Sequence, residues 1–550
     1  MAPVFVGSNN EDSRIRSNRI GFAASTANPG SADEGDGYYN SSDNQLKLYD
    51  GSAWSAIAGG GGSVELTLSG TLSNGQTVIV QSDGTVTGVA TTGAVQSEGS
   101  NAVYHSASTS YVQSTFDSAH NRVVIVFRDE GNSNYGTAVV GEVDPSNNSI
   151  SFGSEVVFES ASVEYVYAGF DSTNERVVIA YRDGGNSNYG TAIVGEVDPS
   201  NNSISFGTAT VFESFATIVY DVVFDSNSSK IVPIFRGTSN HGYGIVGTVD
   251  PSNNSISFGT ASKWEDSTTS GNQYNAAATF ATGIHNKVVV AFQSLRTNSN
   301  GYGQVVVGSV DGTNIYFGQK NDFERNSTQN IGMVYDSNID RIIIAYANYG
   351  DNAKGEGVVG TITGMELNFD SVNAGVEFES GQTDQSHVVF DPKSNKVIIS
   401  YSDDGDSGKG KYVVGIATAS DNSISFTTPA VYETGNTDWV SSVLDSKNNK
   451  VVTAYRDSSN SNHGTAVVIQ PQYNGTNATS GNFIGFSDAA YTNGQTAKIQ
   501  IVSSVDDAQS GLTTGALHYV QNDGSLGVAA STPSIVAGTA LSGTEISIKN

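Results

Sequence analysis

Phe170-Asp-Ser-Thr-Asn-Glu-Arg-Val-Val-Ile-Ala-Tyr181-Arg-Asp-Gly-Gly-Asn-Ser-Asn-Tyr-Gly190-Thr-Ala-Ile-Val-Gly195-Glu-Val-Asp-Pro199-Ser-Asn-Asn-Ser-Ile-Ser-Phe206-Gly, continued by Val211-Phe-Glu-Ser214, is the clearest copy of a unit written seven times in this chain. Its opening apolar anchor recurs at Phe116, Phe170, Phe224, Phe280, Tyr335, Phe390 and Leu444, a period of 54 to 56 residues. A fixed period of that length is the signature of a repeat architecture.

Inside the unit the pattern is that of strands. Runs such as Val177-Val-Ile-Ala-Tyr181 are short, rich in β-branched residues and bounded by Asp, Asn, Gly and Pro clusters that favour tight turns. Four strands are expected per unit: one running into Phe170, then Arg176 to Tyr181, Gly190 to Val197, and Ile204 through Phe212. Four antiparallel strands repeated seven times predict an all-β, seven-bladed β-propeller. An aromatic of the fourth strand precedes the next anchor by twelve residues in five units, and Trp264 precedes Phe280 by sixteen. Ala102-Val-Tyr104 stands twelve before the first anchor, whereas the last unit loses the pattern at Gln470-Pro471. The last blade is therefore expected to take its first three strands from residues 439–470 and its outer strand from 101–106, which closes the ring.

The chain has 550 residues, net charge -29, 62 glycines and no cysteine. A propeller accommodates about 370 residues as one unit by repetition. Without cysteine there are no disulfides and no cysteine-ligated zinc. The acidic balance and the lack of a basic cluster argue against nucleic acid and anionic membrane faces as partners. No apolar run is long enough to span a membrane, and the N-terminus lacks the pattern of a signal peptide, so release by lysis is expected.

Residues 1–62 are poor in aliphatic side chains and end in Gly59-Gly-Gly-Gly62, so they are expected to be extended or ordered by a partner. Within them Gly37-Tyr38-Tyr39-Asn-Ser-Ser-Asp-Asn-Gln-Leu46-Lys-Leu48-Tyr-Asp-Gly-Ser-Ala-Trp54 reads as a hairpin. Its turn is Ser41 to Asn44, and its apolar face carries Tyr38, Leu46, Leu48 and Trp54. Residues 63–92 and 475–550 share lettering, as in Asn74-Gly-Gln-Thr77 and Asn493-Gly-Gln-Thr496, and read as related small β modules flanking a propeller at 93–474.

The run from Gly37 to Trp54 resembles one common near the N-termini of bacteriophage tail-fibre and other virion proteins, especially of marine and cyanobacterial phages. The tail from Asn482-Phe-Ile-Gly-Phe486 to Gly543 is similar to a domain at the ends of marine phage structural proteins. The resemblance implies a non-enzymatic virion protein, a tail fibre or related appendage, attached to other virion proteins through residues 1–62. By analogy it also implies a homotrimer. A capsid or tail decoration protein is the alternative.

Host-facing residues are expected on variable loops, here the turn between strands two and three and the link to the next blade. On that side the residue five before each anchor is Tyr111, Tyr165, Val219, Asn275, Asn330, Gln385 and Trp439. The three aromatics fall in blades that are adjacent once the ring closes. An aromatic arc at a channel mouth suits stacking on a host surface glycan, with Asp438, Glu164 and Gln113 as polar neighbours. The alternative is that these side chains only plug a tapering channel. No catalytic residue, metal or other cofactor is assigned. The aspartates after the anchors, such as Asp117 and Asp171, recur too regularly for catalysis and should cap their own turns. Loops such as Asp183 to Asn188 offer oxygen ligands to calcium but lack the glutamate of an EF-hand. The histidines have no metal-ligand spacing. Arg128, Arg182, Arg236 and Arg456 end second strands and are expected to be exposed and structural. A glycan-degrading propeller enzyme needs carboxylates flanking the scissile bond. The Trp-ended aspartate-box turn of sialidases does not occur, and such an enzyme stands as the second alternative.

Overall fold

The computed structural model describes residues 62–90 apart from 82, 96–265, 275–294, 301–471, 478–530 and 534–549, together with short strands between 15 and 57. The expected turn at 41–44, the apolar face of its hairpin, and Leu295 and Arg296 of the variable loop expected between Gln293 and Gly303 lie outside the described residues. Strand is the dominant element throughout, and the described helices are three single 3-10 turns. The chain divides into two compact units, 94–473 and a second made of 1–93 with 474–550.

In the larger unit one antiparallel pattern repeats. Arg176–Asp183 pairs with Tyr189–Asp198, which pairs in turn with Ser203–Phe206 and Thr210–Ala216. The fourth strand of one sheet and the first of the next, expected as separate elements, are a single strand at several junctions. Val156–Asp171 pairs through its first half with Tyr135–Asp144 and through its second half with Arg176–Asp183. Ala102–Asp117, Val376–Asp391 and Ala430–Asp445 run through in the same way. Before Phe280, where the interval is four residues longer, the described strands are Ser262–Glu265 and Ala276–Ala281.

The turns follow from the sequence. Asp117 Oδ1 accepts from the backbone N–H groups of Ala119 and His120, both at 3.0 Å, and Asp171 does the same for Thr173 and Asn174. Asp183 likewise accepts from Gly185 and Asn186, so this carboxylate is engaged by its own loop. Successive sheets bury a shared apolar layer. Val124, Val126, Ala138 and Val140 of one meet Val177, Ile179, Tyr181 and Ile193 of the next. At Gly136 a Cβ would collide with the Phe158 ring, which explains why a glycine opens the third strand opposite an aromatic of the fourth.

Residues 97–108 pair with the last strand of the unit. Ser97 and Glu98 lie opposite Gln470 and Ile469, and Ala102 and Val103 lie opposite Ala466 and Thr465. Tyr104 covers Gly464 as Phe158 covers Gly136. A polar contact of the same kind also recurs. Arg122 Nε donates to Asn202 Oδ1 and Arg176 Nε to Asn254 Oδ1, each at 2.6 Å, and Lys450 Nζ donates to Asn148 Oδ1 at 2.6 Å. These asparagines belong to the Asp-Pro-Ser-Asn-Asn turns.

The smaller unit brings both flanks of the chain into one sheet, in the order Ser63–Thr67, Thr496–Gln500, Phe483–Ser487, Thr77–Val80, Val86–Gly88. Segments expected as two modules thus share one sheet, with two neighbouring strands of the C-terminal flank inserted between strands of the N-terminal one. A second sheet comes from residues 505–548, and a core of Ile79, Phe483, Phe486, Leu512, Val520, Ile535 and Ile546 draws on both ends of the chain. Near the N-terminus, Gly37–Asn40 pairs antiparallel with Gln45–Tyr49 and the latter with Trp54–Ile57.

Candidate functional site

The series five residues before the anchors marks a common backbone feature. Register between first and second strands slips there: Ser110 faces Arg128, but the next pair is Gln113 with Val126, so two residues oppose one. Equivalent bulges occur at Glu164/Tyr167, Gln329/Gly332, Asp384/His387 and Asp438/Ser441. At each of them the first bulged residue is left-handed: Tyr111 (φ 52°), Tyr165 (50°), Asn330 (53°), Gln385 (51°) and Trp439 (52°). That conformation is uncommon for bulky side chains and costs roughly 1–2 kcal/mol per residue. Val219, β-branched, does not adopt it. The bulge turns the side chain out of the strand's alternation, and backbone strain of this kind clusters at ligand sites.

A cavity of about 640 Å³ lies among these first strands. Tyr165, Trp439 and Gln113 line it. Tyr111 does not. Its ring stands between the other two, 5.1 Å from Tyr165 and 4.4 Å from Trp439 between centroids, with the Arg128 guanidinium 4.8 Å from its centroid. Burial, with the nearby Tyr165 and Glu164, pushes the Tyr111 hydroxyl up to about 12. The aromatic arc expected from the sequence is therefore one contiguous group, with two members facing the cavity and one supporting them.

Glu164 and Asp438 do not line the cavity. Glu164 pairs with Arg182 at 2.9 Å and lies 3.8 Å from Arg128, and Asp438 accepts from Arg456 at 2.7 Å and from the Ser458 hydroxyl at 2.5 Å. Both carboxylates are spent on arginines beside the arc. This corrects the expectation for Arg128, Arg182 and Arg456: their side chains are only 19–23% exposed, and two of them lie over tyrosine rings. Guanidinium above a ring gains from the ring's negative face. Gln113 accepts a bond from the Ser441 hydroxyl at 3.3 Å.

Asp221, Asp384 and His387 also line the cavity and were not singled out by the sequence. Asp221 accepts from the N–H groups of Val222 and Ala278, both at 2.8 Å, yet burial pushes its carboxyl up to about 6. Asp384 is also raised, by burial and then by Asp404. Burial drives His387 down to about 4. Asn275, Asn330 and Gln385 carry amides, and Gln385 Oε1 accepts from Val440 N–H at 3.0 Å. Asp221 and His387 occupy the position three before the anchor, where the seven units share no chemistry, so no periodic signal could reveal them.

A separate cluster joins His105, Asp129 and Glu155. His105 Nδ1 lies 2.8 Å from Glu155 and Nε2 lies 3.1 Å from Asp129. The two contacts use opposite edges of the imidazole, so a single ion cannot take both nitrogens, and the group reads as a hydrogen-bonded junction.

No family model and no curated protein matches the chain. Among solved structures it is similar to a protein of unknown function from Dyadobacter fermentans DSM 18053, at 10% identity over 68% of this chain and 99% of that one, with a TM-score of 0.42. It is also similar to the β-propeller domain of the Trilobed protease from Pyrococcus furiosus, at 10% identity over 68% and 96%, with a TM-score of 0.37. By its own strand order the chain is all-β and its larger unit is propeller-like.

Proposed function

We propose that the larger unit is a seven-bladed propeller whose ring is closed by residues 97–108, and that it binds carbohydrate at the cavity bordered by Tyr165 and Trp439. The closure reading rests on the pairing of Ala102 with Ala466, on Tyr104 over Gly464, and on Lys450 bonding Asn148 as Arg122 bonds Asn202. The binding reading rests on one observation above all: three aromatics joined through Tyr111, each held left-handed, two of them facing one cavity. Aromatic faces offer area to a sugar ring at low entropic cost.

The chain as a whole is proposed to be a non-enzymatic bacteriophage virion protein, a tail fibre or related appendage, with the propeller presented to host surface glycan. Residues 1–62 would attach it to other virion proteins, and a homotrimer is the assembly the phage resemblance suggests. The support is the sequence resemblance of residues 37–54 and 482–543, together with the cavity. Labelling intact particles with an antibody against residues 93–474 tests the placement. Signal at the distal ends of tail appendages is expected, and signal spread over the head would replace this reading with a decoration role. Trp439→Ala and Tyr165→Ala test the site, since each should abolish saturable binding to host polysaccharide while the protein stays folded.

A further inference from the structure

We propose that this cavity accepts uncharged or amine-bearing sugars and rejects anionic ones such as uronates and sialates. The inference rests on the carbohydrate reading above and specifies the class of sugar.

The two sides of the cavity differ. Tyr165 and Trp439 supply aromatic faces, while Asn275, Asn330 and Gln385, at the matching positions of other strands, supply amides. Amides both donate to and accept from hydroxyls, so this wall suits the rim of a sugar whose face rests on the rings. The lining also carries two carboxylates, Asp221 and Asp384. Among the described lining residues there is no lysine or arginine. His387 is the one lining side chain able to become a cation, and its burial keeps it neutral except in acid.

The arginines beside the arc do not alter this balance. Arg182 is paired with Glu164, Arg128 with Glu130, and Arg456 with Asp438, and none of the three lines the cavity. Asp384, moreover, lies close enough to Asp404 and Asp438 for their charges to raise its carboxyl. An anionic sugar would place its carboxylate in a partly desolvated space beside like charges, with no cation to receive it. Burying a charge without a partner is strongly unfavourable, and nearby like charges add to the penalty. Hydroxyls meet amides and carboxylates as ordinary partners, and an ammonium gains from both carboxylates and from the aromatic faces.

The test uses the full chain and three hexasaccharides of matched length: a neutral glucan, a fully deacetylated chitosan and an oligogalacturonate, titrated calorimetrically in low salt at about pH 6, where the chitosan amines are largely protonated, the uronates ionised and His387 neutral. The neutral and amine-bearing probes should bind, with the uronate weaker by at least about tenfold. Added salt should weaken only the amine-bearing one. Asp384→Asn, which keeps the volume of the side chain, should narrow the gap between neutral and anionic probes by several-fold and loosen the chitosan. Because Asp221 also holds two backbone N–H groups, Asp384 is the safer position. A uronate that binds as tightly as the glucan, or an Asp384→Asn chain with unchanged preference, overturns the inference while leaving the carbohydrate reading intact. Failure of all three probes, and of host polysaccharide, to bind the wild-type chain would remove the carbohydrate reading itself.

Discussion

The hydroxyl of Tyr401 donates to Glu379 Oε2 at 2.9 Å, across the boundary between two successive sheets. Glu379 belongs to the part of its strand that pairs with residues 354–357, and Tyr401 to the next sheet's second strand. The same bond joins Tyr181 to Glu159, Tyr346 to Glu324 and Tyr455 to Glu433. The glutamate follows the fourth-strand aromatic directly, so one dipeptide supplies both the apolar cover over a glycine and the polar tie to the next sheet. Burial alone would raise Glu379, but bonds from Gly381 N–H and Tyr401 and the charge of Lys411 leave it below the usual range. Tyr401→Phe is expected to cost about 1.5 kcal/mol, at the low end for a hydrogen bond to a charged group because other donors remain. Urea unfolding measures it, and no change in midpoint would mean the bond adds nothing.

Tyr104 gives a sharper test of ring closure. It is almost fully buried, and its ring packs on Phe127 and Phe152 at centroid distances of 5.3 and 5.8 Å. Tyr104→Ala should therefore destabilise the larger unit by roughly 3–5 kcal/mol, as for other large aromatics removed from a core. A loss below about 1 kcal/mol in denaturant would mean that residues 97–108 are peripheral.

Much of this fold is legible in the sequence because the chain is its own alignment. The anchors, the turn aspartates and the aromatic-glutamate pair recur at one period, and each has one local physical job. The departures from the period were the informative part at the site: Tyr111, Tyr165 and Trp439 stood out because the other units place smaller side chains there. What could not be read was proximity across strands that are distant in sequence. Nothing local in Arg128 says that its guanidinium will lie over Tyr111, and nothing in Glu164 says that it will be consumed by Arg182 rather than face a ligand. The sharing of one sheet by residues 63–88 and 483–500 was hidden for the same reason, since similar lettering fits two modules as well as one.

Acid titration should expose two opposing groups in the cavity wall. His387 is held down to about 4 in the folded chain against an ordinary 6.5, so between those values the unfolded chain binds the extra proton, and stability falls as pH drops through that window. The contribution is at most roughly 3 kcal/mol. Asp221 works the other way. Its folded value of about 6 lies above the ordinary 3.8, so its stabilisation is complete in acid and is lost as pH rises from about 4 through 6. The two slopes largely cancel in the wild type. His387→Gln should remove the first, so that relative to wild type the variant loses stability as pH rises from 4 to 6.5. Urea midpoints at four pH values check this, and a variant offset that is constant across pH would show that His387 titrates normally.

The left-handed residue at each bulge makes a prediction that runs against the usual rule for strands. In an ordinary strand glycine is less stable than alanine, because it loses more backbone freedom on folding. At Trp439, with φ of 52°, alanine keeps the clash between its Cβ and the backbone, whereas glycine adopts that conformation without penalty. Both substitutions remove the indole from its contact with Tyr111 and from the cavity. Trp439→Gly should therefore be more stable than Trp439→Ala by roughly 1 kcal/mol, although both are less stable than wild type and neither binds glycan. Gly less stable than Ala at 439 would mean that the bulge relaxes once the ring is gone. The strain would then be imposed by the indole seeking its place in the arc, and not by the strand that carries it.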